Sequence, residues 1–214
     1  MLELGLKVLI GYLLGSLVGA LLVGRFRGVD IRTLGSGNPG GTNALRTQGF
    51  AFAAATVVID VGKGWLAAAW LPGLEIPRIA TDPGVDRDWL AACCAAGAVA
   101  GHVWPLWHDF RGGKGGATLA GTLLALEPVL LLVALAAWFA VAMLTGFVGL
   151  ATTAAAYAAA IAAVSQAPIS VALFAIAMAA LVAWAHRGNF ARMRARTEPR
   201  LQKLWLLRPR ERGQ

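Results

Sequence analysis

The chain has 214 residues, 58% of them hydrophobic and 14% charged, with a formal net charge of +8 and a mean hydropathy of +0.66. Soluble domains carry about 45–50% apolar and about 25% charged residues, so an ordinary soluble enzyme is excluded, as are collagen-like and disordered chains. Nine basic residues and two acids lie between His186 and Gln214, and a basic tail after an apolar segment faces anionic lipid rather than nucleic acid.

In chain order, apolar runs occupy Leu4–Val23, Phe50–Leu71, Trp89–Trp107, Gly115–Leu126, Val129–Val148, Gly149–Val164 and Ile169–Ala185. A hydrocarbon core of about 30 Å asks for about 20 helical residues, which leaves only Gly115–Leu126 clearly short. Charge decides its reading. If all seven runs cross and the N-terminus is outside, segments 25–49, 108–116 and 186–214 put fifteen basic residues inside, against Lys7, Arg78 and Arg87 outside. Cytoplasmic loops carry such an excess. The expected fold is all-α: a polytopic integral membrane protein of seven transmembrane helices, N-terminus outside and C-terminus cytoplasmic, the fourth helix short and tilted or sunk beneath its loop. It forms one membrane-embedded domain over 1–214, with a basic cytoplasmic tail at 186–214.

The first run has an acid, Glu3, and one lysine at its start and arginines after it, the reverse of a signal peptide, so it reads as an N-out anchor. Gly11, Gly15 and Gly19, with Gly97 and Gly101, fall four apart and predict close helix contact. Cys93 and Cys94 are adjacent, lack zinc spacing and read as packing residues. Pro72–Asp88 reads as an outside loop. Asp60 and Lys63, at i, i+3 inside the second run, predict mutual pairing, because an unpaired charge at mid-bilayer costs roughly 2.5–3.5 kcal/mol on insertion scales.

Three polar, glycine-rich stretches interrupt the runs, and all three fall on the inner side. Irregular backbone at membrane depth must line a cavity or sit at the interface. The first is Gly35-Ser36-Gly37-Asn38-Pro39-Gly40-Gly41-Thr42-Asn43-Ala44-Leu45-Arg46. Its glycines turn backbone N–H groups toward one point, Ser36, Asn38, Thr42 and Asn43 add polar groups, and Arg46 adds a fork for phosphate. The second runs from Gly101-His102 to Phe110-Arg111-Gly112-Gly113-Lys114-Gly115-Gly116-Ala117-Thr118. It fails the P-loop pattern, since His108 replaces the first glycine and Gly115 follows the lysine. Lys114 at a helix start among Gly112, Gly113 and Gly115 still makes an anion site; His102 and Arg111 are secondary candidates beside it. The third, His186-Arg187-Gly188-Asn189-Phe190-Ala191-Arg192, puts His186 and Asn189 on one helical face.

Residues 35–46, 60–64, 101–118 and 186–198 together resemble the PlsY family, bacterial membrane glycerol-3-phosphate acyltransferases that use acyl phosphate. The family patterns read GSGNxGATNxxR, DxxKG, GHxxPxxxxFxGGKGxAT and HRxNxxRxxxGxE, in this order. Gly41 stands where alanine is usual and Gly116 where another residue occurs. Arg196 takes the place of the third motif's glycine and Arg194 a usually apolar place, so the turn ahead of Glu198, a secondary candidate, is expected to differ. The resemblance implies transfer of a fatty acyl group from acyl phosphate to the 1-hydroxyl of sn-glycerol 3-phosphate, giving lysophosphatidic acid and phosphate, at the bacterial inner membrane. It implies an essential set of Ser36, Arg46, Lys114, His186 and Asn189.

On chemical grounds acyl phosphate brings its own leaving group, so direct attack by the glycerol hydroxyl is expected. Ser36 then donates to a phosphate or oxyanion rather than acting as nucleophile, because no Ser–His–Asp arrangement is evident. His186 either takes the hydroxyl proton or orients glycerol phosphate. No metal cluster and no cofactor are expected; the partners are the two substrates and membrane lipids. The alternative is a transporter of an organic phosphate, since interrupted helices also mark transport sites.

Overall fold

The computed structural model of the chain describes residues 1–77, 79, 81–202 and 205–207. Arg78 and the tail residues Lys203, Arg208, Arg210, Glu211 and Arg212, which enter the charge count, lie outside them. Among the described residues there is no strand, and the helices are α1 Leu2–Gly15, α2 Gly19–Arg27, α3 Gly41–Gln48, α4 Phe50–Trp65, α5 Arg87–Val103, α6 Gly116–Leu126, α7 Pro128–Thr145, α8 Val148–Gln166, α9 Ile169–Ala185 and α10 Arg187–Arg194.

Four segments are long and apolar enough to cross a membrane: Phe50–Gly73, Arg87–His108, Pro128–Thr145 and Val148–Gln166. They become six when α1 with α2, bent by 44°, and α9 with α10, bent by 47°, each count as one. The molecule is an all-helical, multi-pass membrane protein.

The run Leu4–Val23, expected as one helix, is therefore two. Side chains from other helices take up the groups the break frees. Lys63 Nζ donates to the Leu17 carbonyl at 3.0 Å, and the Gly19 N–H donates to Asp60 Oδ1 at 3.0 Å. Unsatisfied backbone within a bilayer costs several kcal/mol per group, so a broken helix needs such partners.

The glycine stripe does what its spacing predicts. A Cβ on Gly11 would lie 2.7 Å from the Cys94 carbonyl oxygen and one on Gly97 2.7 Å from that of Val8; Cβ atoms on Gly15 and Gly101 would overlap the carbonyls of Ala98 and Tyr12. Gly11 opposite Cys94 and Gly15 opposite Ala98 also fix direction: α1 and α5 run parallel, so α4 returns between them.

Two boundaries move. The turn between the fifth and sixth runs comes at Gly146 rather than at 148–149. Gly146 has φ 72°, and its N–H closes α7 on the Ala142 carbonyl at 2.8 Å. α6, with 11 residues, is about 16 Å long, half the depth of a hydrocarbon core. A Cβ on Gly116 would fall 2.8 Å from Thr152 Cγ2, and Thr152 lies a turn inside α8. The start of α6 is sunk by that turn, which leaves a recess in the end of the bundle.

At the opposite end the buried Glu3 gathers an ion cluster. Glu3 accepts from Lys7 at 2.8 Å, from both terminal nitrogens of Arg87 at 2.8 and 3.1 Å, and from the Asp82 N–H at 2.8 Å. Lys7 also donates to the Pro72 carbonyl at 2.7 Å. The outside-type loop is thus tied to α1.

Candidate active site

The recess opens into a cavity of about 830 Å³ whose wall holds residues from all three polar stretches. All five members of the expected essential set, Ser36, Arg46, Lys114, His186 and Asn189, line it. Asn38, Gly40, Gly41, Thr42, Asn43, Gly115, Asp60, His102 and Glu198 join them. Five expected residues do not. Arg111 is exposed away from it, Lys63 lies behind Asp60 and His102, and Gly37, Gly112 and Gly113 shape turns without reaching the wall.

Two helix starts face this space. α3 begins at Gly41, with Gly40 ahead of it, and its first intrahelical bond is Ala44 N–H to Gly40 O. The N–H groups of Gly41, Thr42 and Asn43 therefore have no partner within the helix. α6 repeats the arrangement: Leu119 N–H to Gly115 O is its first bond, leaving the N–H groups of Gly116, Ala117 and Thr118. A helix N-terminus presents free donors and a partial positive charge, and so attracts anions. Asn43 is buried and organises the first loop: its Oδ1 accepts from the Ser36 N–H at 3.0 Å, and its Nδ2 donates to the carbonyls of Leu34 at 2.9 Å and Ile31 at 3.3 Å.

Lys114 meets the third stretch directly. Its ammonium donates to Asn189 Oδ1, Asn189 Nδ2 donates to Glu198 Oε1 at 2.6 Å, and Arg192 Nε donates to Glu198 Oε2 at 2.7 Å. Arg46 donates to the Pro199 carbonyl at 3.2 Å. Burial, with the positive charges of Arg192 and Arg46, pushes the Lys114 ammonium down to about 8, although Glu198 opposes the shift. His186 is buried, and its Nδ1 lies 2.8 Å from the Val182 carbonyl oxygen. A carbonyl can only accept, so Nδ1 carries the proton and Nε2 keeps a lone pair. Among the described residues, Ser36 makes no hydrogen bond to a histidine, and no group of three or more His, Cys, Asp or Glu is placed to hold a metal ion.

The turn expected to differ at Arg196 keeps a glycine-type geometry. Arg196 has φ 58°, its N–H donates to the Met193 carbonyl at 3.0 Å, and the Thr197 N–H donates to Arg192 at 2.8 Å. These are the paired bonds of a helix end with a left-handed residue after its cap, and they bring Glu198 back to Asn189 and Arg192. Arg192 was not among the expected site residues; its i+3 spacing from Asn189 was the available signal.

Below the polar rim the wall is apolar: Val57, Val61, Leu119, Leu123, Leu131 and Leu135 lead inward. Trp138 belongs to this wall and donates from Nε1 to Thr152 Oγ1 at 3.2 Å.

Residues 5–196 match the family described as glycerol-3-phosphate acyltransferase. The glycerol-3-phosphate acyltransferase of Rhodospirillum rubrum is 45% identical over 204 residues, covering 94% of this chain and 92% of its own. That of Bordetella pertussis is 38% identical over 204 residues, covering 92% and 91%. Crystal structures of PlsY, an integral membrane glycerol 3-phosphate acyltransferase, in glycerol 3-phosphate and lysophosphatidic acid forms, superpose with a TM-score of 0.79 at 29% identity, over 92% of this chain and 94% of that one. By its motifs, its helical bundle and these matches along nearly its whole length, the chain belongs to the glycerol-3-phosphate acyltransferase family.

Proposed function

We propose that this enzyme transfers a fatty acyl group from acyl phosphate to the 1-hydroxyl of glycerol 3-phosphate, giving lysophosphatidic acid and inorganic phosphate, at the bacterial inner membrane. The supporting observation is a single cavity with two helix starts and Lys114 at its polar rim and an apolar wall beneath. Such a cavity suits two phosphates and one fatty chain together.

In this reading the glycerol hydroxyl oxygen bonds to the acyl carbonyl carbon and the bond from that carbon to the phosphate oxygen breaks, so phosphate leaves with the electron pair. Ser36, the helix starts and Lys114 hold phosphate oxygens and offset the charge that grows on the carbonyl oxygen. Removing one such donor costs about 2.7–4 kcal/mol of transition-state stabilisation. The hydroxyl proton goes either to His186 Nε2, a role worth about 10²–10⁴ in rate, or to a substrate phosphate oxygen while His186 orients glycerol phosphate. His186→Gln separates the two: a collapse of kcat marks the base, and near-wild-type kcat with raised KM marks the orienter.

Purified protein offered glycerol 3-phosphate with acyl phosphate, acyl-CoA or acyl carrier protein tests the whole reading. Release of phosphate with matching lysophosphatidate from acyl phosphate alone is the expected result. Transfer only from a thioester donor overturns it.

A further inference from the structure

Beneath the cavity, Asp60, Lys63 and His102 form a buried cluster, each less than 5% exposed. Lys63 Nζ is 2.8 Å from Asp60 Oδ1 and 2.8 Å from His102 Nδ1. His102 Nδ1 also lies 3.3 Å from Asp60 Oδ1, so this nitrogen is held between the ammonium and the carboxylate. Through Leu17 and Gly19 the same two charged side chains hold the break between α1 and α2. The imidazole therefore has one fixed orientation.

Its far edge meets the lysine loop. A Cβ on Gly113 would overlap His102 Nε2, and the loop backbone is laced to the end of α5: Gly113 N–H donates to the His102 carbonyl at 3.1 Å and Gly112 N–H to that of Val103 at 3.2 Å. Gly113 has no positive φ, so glycine is required here by the ring and not by the backbone. Lys114 is the next residue.

We propose that His102 is a positioning residue for Lys114: the imidazole, clamped by Asp60 and Lys63, is the seat on which the Gly112–Gly113 turn rests, and it sets how deep the ammonium lies in the cavity. This rests on the reading of Lys114 as a phosphate-binding group. The charged and titratable groups facing Lys114 are Arg46 from α3, His186 at the end of α9, Arg192 from α10 and Glu198 from the turn after it.

Two substitutions attack the contact from opposite sides. His102→Asn offers Lys63 an acceptor near the place of Nδ1 but removes the ring edge. Gly113→Ala pushes a methyl group into that edge and leaves the buried charges in place. In purified enzyme with acyl phosphate and glycerol 3-phosphate, each is expected to lower kcat/KM by about tenfold to 10²-fold, the scale of an ångström of misplacement. Each is also expected to move the alkaline fall in kcat/KM to higher pH as Lys114 becomes more solvated. The double variant should lose little beyond His102→Asn alone, because the space for the methyl is then open. A histidine that only fills the core would lower thermal stability while leaving that alkaline fall unmoved. Losses that multiply in the double variant, or a wild-type alkaline fall that neither variant moves, overturn the positioning role alone. A wild type with no alkaline fall overturns it together with the reading of Lys114.

Discussion

Arg196 occupies, at φ 58°, a conformation in which a side chain costs about 1–2 kcal/mol and glycine costs none. The two bonds of the helix end and the Glu198 contacts to Asn189 and Arg192 outweigh that strain. Arg196→Gly is therefore expected to stabilise the protein by about 1 kcal/mol, part of the relief being returned as extra chain entropy in the unfolded state, and thermal unfolding in detergent should show the higher Tm. Gly41 and Gly116 have a different logic: a Cβ at either would press on a methyl, Val57 Cγ2 at 2.6 Å or Thr152 Cγ2 at 2.8 Å, so this chain has filled the space from the neighbouring helix. Lys114 is the group expected to carry the pH dependence. With its ammonium held near 8, the free enzyme loses the positive charge as pH rises through that value. Substrate phosphates, with second pKa values near 6, no longer change there. The pH profile of kcat/KM should fall about tenfold per unit above pH 8, and Lys114→Arg, which keeps its charge, should remove that fall even if its rate is lower.

At the level of helices, the broken first span ties packing to chemistry. Lys63→Met leaves Asp60 without its cation and Leu17 O without a donor, and is expected to cost about 3–5 kcal/mol. In many proteins replacing both members of a buried pair by apolar residues recovers the loss. Here Asp60→Leu with Lys63→Met should not, because Gly19 N–H and Leu17 O each remain unpaired at about 1–3 kcal/mol; denaturant unfolding of the single and double variants decides. Periodicity could not reveal the break. Leu4–Val23 has only Lys7 and Ser16 to interrupt its apolar and glycine residues, and the partners that permit the break lie more than forty residues away. The glycine stripe was legible because close backbone approach excludes every other residue, and Lys114 with the two helix starts was legible as a candidate anion site because glycines and donors stand there in short spacing. Arg192 and the seat under Gly113 were missed although their partners are near in sequence, because each contact depends on how a turn folds back: Arg192 meets Glu198 through the left-handed turn at Arg196, and His102 meets Gly113 through the loop after α5.

For the molecule as a whole, sidedness follows from direction. α1 and α5 run parallel through the Gly11–Cys94 and Gly15–Ala98 contacts, so the end of α1, the loop after α5 and the start of α4 share one face. The end of α7 joins them, since Arg200 donates to the Thr145 carbonyl at 3.2 Å, and so does the start of α8, where a Cβ on Gly149 would touch Asn189. Eleven of the fourteen basic residues among those described belong to segments at this face, the excess expected of a cytoplasmic side. In the expected seven-crossing arrangement the half-depth α6 carries the chain from this face toward the other, where Pro128 begins the return. It would do so by starting a turn below the end of the bundle, and the same displacement opens the cavity. Single cysteines at exposed Ser36, Arg187 and Glu75, in a chain with Cys93 and Cys94 replaced by alanine, test the arrangement with an impermeant thiol reagent. Positions 36 and 187 should label in inverted vesicles and stay protected in intact spheroplasts, and position 75 should do the reverse. Labelling of 36 and 187 from opposite sides would show that α6 and α7 do not form a crossing pair, and His186 and Asn189 would then share no cavity with Ser36 and the two helix starts.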